Sequence, residues 1–112
     1  MKQLFVLHAE ICKTLANSKR LEILNALQRG ELSVADLVRK LRLPKPNVSQ
    51  HLGVLRSCGV VTARRDGLRV YYRVANPKII RACNLMREVL LEQIGQKLRL
   101  TRRWERARGA EG

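Results

Sequence analysis

Apolar positions along this chain change period twice, and the changes mark out its elements. Between residues 2 and 16, Leu4, Leu7, Ile11 and Leu15 recur at helical spacing, with Lys2, Glu10 and Lys13 off the stripe. Asn17 and Ser18 are N-cap residue types. They open a second helix, KRLEILNALQRG, whose apolar face is Leu21, Leu24 and Leu27 with Ile23 flanking, and Gly30 is its expected stop. Ser33 begins a third helix, SVADLVRKL, with Asp36 at the spacing of a capping box and Val34, Leu37, Val38 and Leu41 on the buried side. The link RLPK leads into PKPNVSQHLGVLRSCG, residues 44–59. There Val48, Leu52 and Leu55 keep the i, i+4, i+7 stripe, and Pro46 fits the first turn. The pair 33–41 and 46–58, joined by a few residues, has helix-turn-helix proportions.

After Gly59 the helical period is lost. The run VVTARRDGLRVYYRVA is rich in β-branched and aromatic residues and is broken at Asp66-Gly67, which predicts a hairpin closed by a type I′ turn. Tyr71 and Tyr72 are expected to pack one ring on each face of the sheet. Pro77 opens a last helix, roughly 77–98, with the stripe Ile79, Cys83, Met86, Leu90 and Ile94 and with Leu91 and Leu98 flanking. Residues 1–98 therefore read as one domain of class α+β, mostly helical with a β-hairpin, in the order α-α-α-α-β-β-α. A helix-turn-helix followed at once by a basic hairpin is a winged helix. Residues 99–112 are basic, poor in apolar content and Gly-rich at the end, so fraying is expected there, with Trp104 resting on the last helix. The first and last helices carry more apolar surface than a three-helix core can cover, so they are expected to pack together and against a second subunit.

Composition narrows the partners. The 112 residues include 23 Lys+Arg against 9 Asp+Glu, a net charge of +14, which draws the domain to polyanions, with nucleic acid before an anionic membrane surface. No stretch approaches the roughly 18 apolar residues of a membrane span, and Glu10 ends the first apolar run too early for a signal peptide. Three cysteines, an odd number, argue against a disulfide framework and for a reducing cytoplasm.

The polar face of residues 45–56 gives the charge a target. Lys45, Asn47, Ser49, Gln50, His51 and Arg56 include no acid, whereas a solvated helix face mixes both signs. Gln50 has the geometry for bidentate pairing with adenine, and Ser49 and His51 reach a base edge or a phosphate. Lys45 and Asn47, near the helix start, suit phosphates. Arg64, Arg65 and Arg69 flank the hairpin turn, where they would track the backbone or enter the minor groove. The plainer reading of the same residues is the surface of a small basic domain.

In this order of elements, the segments LANSKRLEIL (15–24), ELSVADL (31–37), NVSQHLGVLRSCGVV (47–61) and RRDGLRVYYRV (64–74) resemble the ArsR/SmtB family of bacterial winged-helix repressors. The resemblance runs from about Leu15 to Leu98. It implies a homodimer, joined through the first and last helices, that sits on a palindromic double-stranded DNA operator and leaves it when an effector binds. Ser49, Gln50 and His51 fall on the family's recognition-helix positions. The third-helix Cys-x-Cys pair of metal-sensing members aligns with Ser33 and Ala35, which removes that thiolate site. With His8 and His51 as the chain's two histidines, a His-based zinc or nickel site is not expected.

Cys12, Cys58 and Cys83 remain. Cys12 lies at the edge of the first helix's stripe and Cys83 near the start of the last helix. If these helices pack together, the two thiols form a pair able to bind a soft metalloid such as As(III), or to oxidise or form a polysulfide bridge. The other reading makes them small hydrophobes, and Cys58, before a Gly stop, is read as packing filler with a lesser claim as a ligand. Two further readings stay open: a repressor of the same fold with no thiol sensing, and a winged-helix module that binds protein or RNA. No nucleophile–base constellation, phosphate loop or paired carboxylate points to an enzyme.

Overall fold

The computed structural model describes residues 1–111. The elements are α1 (Lys2–Leu15), α2 (Ser18–Ala26), a 3-10 turn (Leu27–Arg29), β1 (Leu32–Ser33), α3 (Val34–Leu41), α4 (Lys45–Ser57), β2 (Val61–Asp66), β3 (Arg69–Val74) and α5 (Pro77–Glu111). The chain divides into two compact units, Met1–Ile80 and Arg81–Gly112.

The first unit is built from local signals. Asn17 caps α2, its side-chain oxygen accepting from the backbone N–H groups of Lys19 (3.0 Å) and Arg20 (3.1 Å). The helix tightens into the 3-10 turn after Ala26, earlier than its pattern suggests, and Gly30 ends it at φ +151°. Its buried face is Ile23, Leu24, Ala26 and Leu27, with Leu21 only half-buried, so the stripe is rotated toward Ile23 relative to the expected Leu21 line. Ser33 and Asp36 close the capping box: the Asp36 N–H donates to Ser33 Oγ (3.1 Å), and the Ser33 N–H donates to the Asp36 carboxylate (3.0 Å). Arg42 then turns the chain with φ +55°, its N–H donating to Val38 O (2.9 Å). A left-handed residue here ends α3 and redirects the chain into α4.

Helix α4 sits on the core through Val48, Leu52 and Leu55, all fully buried as expected from their spacing. It ends in a Schellman motif. The Gly59 N–H donates to Arg56 O (3.0 Å) and the Val60 N–H to Leu55 O (2.9 Å), with Gly59 at φ +74° and Leu55 and Val60 both in the core. The sheet has the order β1-β3-β2, so the hairpin gains a short third strand, Leu32–Ser33, paired with Tyr72 and Tyr71. Two residues carry no readable period, which is why the pattern showed a hairpin only.

The hairpin turn also differs from expectation. The ladder extends to the pair Asp66↔Arg69, so the central residues are Gly67 and Leu68, not Asp66 and Gly67. Gly67 has φ +63° and Leu68 has no positive φ, the sign pattern of a type II′ turn with glycine first. Tyr71 and Tyr72 do lie on opposite faces, and Tyr72 joins the core cluster.

Helix α5 starts in the first unit and makes up the second, and it does not stop at Leu98. Asn76 caps it by accepting from the Lys78 N–H (3.0 Å), Pro77 is its first residue, and the helix continues through Glu111. The expected frayed tail is thus helical as far as it is described; Gly112 lies outside the described residues. Leu100, Ala107, Glu105 and the arginines of residues 99–108 are good helix formers, and that propensity outweighs the missing apolar stripe. Trp104 stands on this helix, 62% exposed, with the Arg108 guanidinium 4.6 Å from its ring centroid.

A first prediction concerns the start of α3. Ser33→Ala removes the oxygen that receives the Asp36 N–H inside a buried corner, and thermal unfolding is expected to show a loss of about 1 kcal/mol. The Ser33 backbone N–H, and after it the Ser33 hydroxyl, hold the Asp36 carboxyl below its ordinary value. A depressed carboxyl contributes stability above its unfolded value, and that stability fades as pH falls through the folded one. The acid limb of the melting curve is therefore expected to flatten in Asp36→Asn.

Candidate nucleic-acid interface

Helix α4 presents one continuous exposed line. Lys45, Ser49, Gly53 and Arg56 succeed one another at i, i+4, i+8 and i+11, with Gln50 beside Gly53. Asn47 is exposed at the edge of this line, and His51 is half-buried beside it. Lys45, Asn47, Ser49, Gln50 and Arg56 have no side-chain hydrogen bond or ion pair among the described residues. Pro44, at the N-cap, provides no side-chain acceptor, and the first turn holds no acid. A lysine at a helix start opposes the helix dipole, and no ion pair among the described residues offsets it. An external anion would.

Gly53 was not singled out by sequence reasoning. It lies mid-helix and exposed, its φ is not positive, and a Cβ built on it meets nothing within 4 Å. Neither packing nor backbone conformation requires glycine, yet it costs the helix about 1 kcal/mol relative to alanine. A glycine in the interior of a helix whose neighbours three and four residues away, Ser49, Gln50, Arg56 and Ser57, are all polar is the signal that could have found it.

The hairpin separates its arginines. On one face, Thr62, Arg64 and Asp66 lie opposite Arg73, Tyr71 and Arg69; on the other, Ala63 and Arg65 lie opposite Tyr72 and Val70. Arg64 is committed within the chain. Its guanidinium donates from Nε to the Glu31 carboxylate (2.9 and 3.1 Å) and from Nη2 to the same group, and its Cζ lies 4.9 Å from the Tyr71 ring centroid. The hydrogen bond from Arg64 holds the Glu31 carboxyl below its ordinary value, and Glu31 in turn raises Arg64. Arg64 thus ties β2 to the segment before β1, a role that differs from the expected DNA contact. Arg65 and Arg69 are exposed, with no ion pair among the described residues.

The cysteines are less buried than packing filler. Cys12 and Cys58 are exposed and Cys83 is half-buried. Cys58 caps the C-terminal end of α4, its Sγ 3.0 Å from Oγ1 of the buried Thr14 on α1. Among the described residues no group of three or more His, Cys, Asp or Glu side chains is placed to hold a metal ion. No described helix is long and apolar enough to cross a membrane.

A helix-turn-helix with an exposed acid-free second helix, followed by a β-wing, defines a winged helix-turn-helix protein. The model of the bacterial regulatory protein arsR family matches residues 17–63. An uncharacterized HTH-type transcriptional regulator of Mycobacterium tuberculosis is 41% identical over 96 residues, covering 85% of this chain and 84% of its own. The crystal structure of that M. tuberculosis protein superposes with a TM-score of 0.77, over 85% of this chain and 96% of that one. The solution structure of a homodimeric winged helix-turn-helix DNA-binding domain from Mycobacterium bovis, described as a possible ArsR-family regulator, is 35% identical. It has a TM-score of 0.75 and covers 83% of this chain and 86% of that one. A biofilm growth-associated repressor of Agrobacterium fabrum is 44% identical over 73 residues, 65% of this chain and 62% of its own. The chain belongs to the ArsR family of bacterial regulatory proteins.

Proposed function

We propose that this protein is a homodimeric transcriptional repressor that reads a two-fold symmetric DNA operator through α4 and its wing. The observation that carries this reading is the exposed line on α4, where polar and cationic side chains stand without intramolecular partners. Gln50 and Ser49 meet base edges, His51 a base edge or a phosphate, Lys45 and Asn47 the phosphates near the helix start, and Arg56 a phosphate at the far end. Arg65 and Arg69 hold the flanking backbone. The dimer forms through the exposed apolar residues of α1 (Leu4, Leu7, Ile11) and of α5 (Leu90, Ile94, Leu98). The homodimeric relative supports this assembly.

Selection of binding sequences from a pool of random duplexes tests the reading. It is expected to enrich an inverted repeat whose half-site centres lie roughly 34–36 Å apart, or a multiple of that. A pool that stays random after repeated rounds, or a single-stranded RNA bound more tightly than any selected duplex, defeats it.

Gly53 belongs to the same surface, because a helix without a side chain at its middle approaches the groove floor more closely. Gly53→Ala is expected to raise the stability of the protein by about 0.5–1 kcal/mol while weakening operator binding. Calorimetry and titration on the same preparation check both signs, and a variant that gains stability and keeps full affinity removes Gly53 from the interface.

Effector response runs through thiols. The accessibility of Cys12 and of the half-buried Cys83 supports this. Release from the operator by a persulfide donor or arsenite is expected to disappear in the double change Cys12→Ser, Cys83→Ser and to persist in Cys58→Ser. Release that survives the double change moves the sensor elsewhere.

A further inference from the structure

The C-terminal end of α5 carries a feature that operator reading by α4 leaves unused. Arg99, Arg102, Arg103 and Arg106 stand at i, i+3, i+4 and i+7, which places all four on one face of the helix, and all are exposed. None has an ion pair among the described residues. Glu105 is aligned with Leu98, Thr101 and Arg108, away from the line through Arg99, Arg103 and Arg106; it stands three residues from Arg102 but forms no ion pair with it among the described residues. Upstream, the same face holds Glu88 and Glu92, so its sign reverses at the centre of the helix and stays positive from Arg99 onward.

Three considerations show that this stripe is more than a solvated end. Four like-charged neighbour pairs (99/102, 99/103, 102/106 and 103/106) each disfavour the helix by roughly 0.2–0.5 kcal/mol. The helix dipole favours Arg108, in the last turn, but its influence fades before Arg99 and Arg102. The apolar seam of α5 ends at Leu98, followed on its line by Thr101, Glu105 and Arg108, so a partner helix on that seam has nothing to grip beyond it. Isolated helical segments of this length are marginal in water. A polyanion laid along the stripe relieves the repulsion and stabilises the helix at once.

We propose that the Arg99/Arg102/Arg103/Arg106 stripe of α5 binds the phosphate backbone of duplex DNA flanking the operator half-sites. The inference rests on the operator reading above. The stripe is about 10 Å long, and a duplex presents roughly six phosphate charges over that length. Guanidinium groups favour phosphate, which they engage bidentately. A lipid surface is the poorer partner. An interfacial helix needs a broad apolar face opposite its charges, and beyond Leu98 this one offers Leu100, Ala107 and Trp104, with the Arg108 guanidinium stacked on one side of the exposed Trp104 ring.

The test uses the full-length dimer and the variant R99Q/R102Q/R103Q/R106Q, since glutamine keeps helix propensity and length while removing charge. Affinity and its salt dependence are measured on a duplex of the selected operator alone and on one extended by about 15 base pairs on each side; random duplex added in excess separates this from general affinity. Wild type is expected to bind the long duplex about tenfold more tightly, and the variant to lose that gain, with a salt slope shallower by about 0.9 for each phosphate contact removed. Both proteins are expected to bind the short duplex equally. Wild-type binding that is independent of duplex length, or a variant that keeps the length dependence, overturns the proposal while leaving the operator reading intact. Absence of wild-type binding to the short duplex overturns both. Stripe-dependent binding to vesicles of anionic phospholipid, without a duplex-length effect, reassigns the surface to a membrane and also overturns it.

Discussion

Leu52→Ala is expected to lower the stability of the protein by about 2–5 kcal/mol and to weaken operator binding near physiological temperature. Leu52 is 0% exposed, at the centre of the stripe by which α4 rests on the core, with Val48 one turn before and Leu55 almost one turn after. Removing its side chain leaves a cavity under the exposed line of α4, in a buried cluster that also holds Ile23, Leu24 and Leu37, which come from other helices and cannot close in without moving their own backbones. A small domain has only about 5–15 kcal/mol to lose. The check is urea denaturation followed by DNA titration below the new midpoint. A loss under about 1 kcal/mol would place Leu52 outside the load of the core. Leu52→Met, nearly equal in volume, is expected to cost under about 1.5 kcal/mol and to preserve binding.

Gln50→Ala and Arg69→Ala are expected to fail differently. Gln50 stands on the exposed line of α4 beside Gly53 and has no partner among the described residues. If it pairs with an adenine, its loss costs about 1–3 kcal/mol on the selected operator and almost nothing on random DNA, so the specificity ratio falls roughly tenfold or more. Arg69 lies at the wing tip opposite Asp66. Its loss weakens specific and random duplexes alike and lowers the salt slope by about one. Titrations of both variants on both duplexes at several salt concentrations separate the two roles, and equal behaviour of the two variants contradicts the assignment. Arg64→Ala is a useful contrast, because Arg64 holds Glu31 and Tyr71 and its removal is expected to loosen the base of the wing.

The features readable in the sequence were those set by neighbours in the chain. The burial of Val48, Leu52 and Leu55 follows from a helical period, the Ser33–Asp36 box from a spacing of three, and the stop at Gly59 from a residue able to take positive φ. The same holds for the polar line of α4, since one face of a helix is fixed by periodicity alone. Features set at long range were not legible. The commitment of Arg64 to Glu31 joins residues 33 apart in sequence, and β1 becomes a strand only because β3 lies beside it. The turn type depended on where the ladder closed, one pair beyond the position that Asp66-Gly67 suggests. The extent of α5 was missed because an apolar stripe served as the criterion for a helix, whereas residues 99–111 are helical by propensity and the arginines of residues 99–108 present charge instead. Gly53 escaped notice because a residue without a side chain leaves no mark in a pattern of side chains.

The central claim is that two copies of α4 enter the major groove of one duplex, one helical turn or a multiple of it apart. The most direct measurement is a base-resolution protection footprint of the full-length protein on the selected duplex, with protein stoichiometry determined on the same complex. The account predicts two protected major-groove segments on one face of the DNA, related by two-fold symmetry, with centres roughly 34–36 Å apart or at a multiple of that spacing, and two protein chains per duplex. A single protected segment bound by one chain, or uniform protection with no segment preferred, would contradict it.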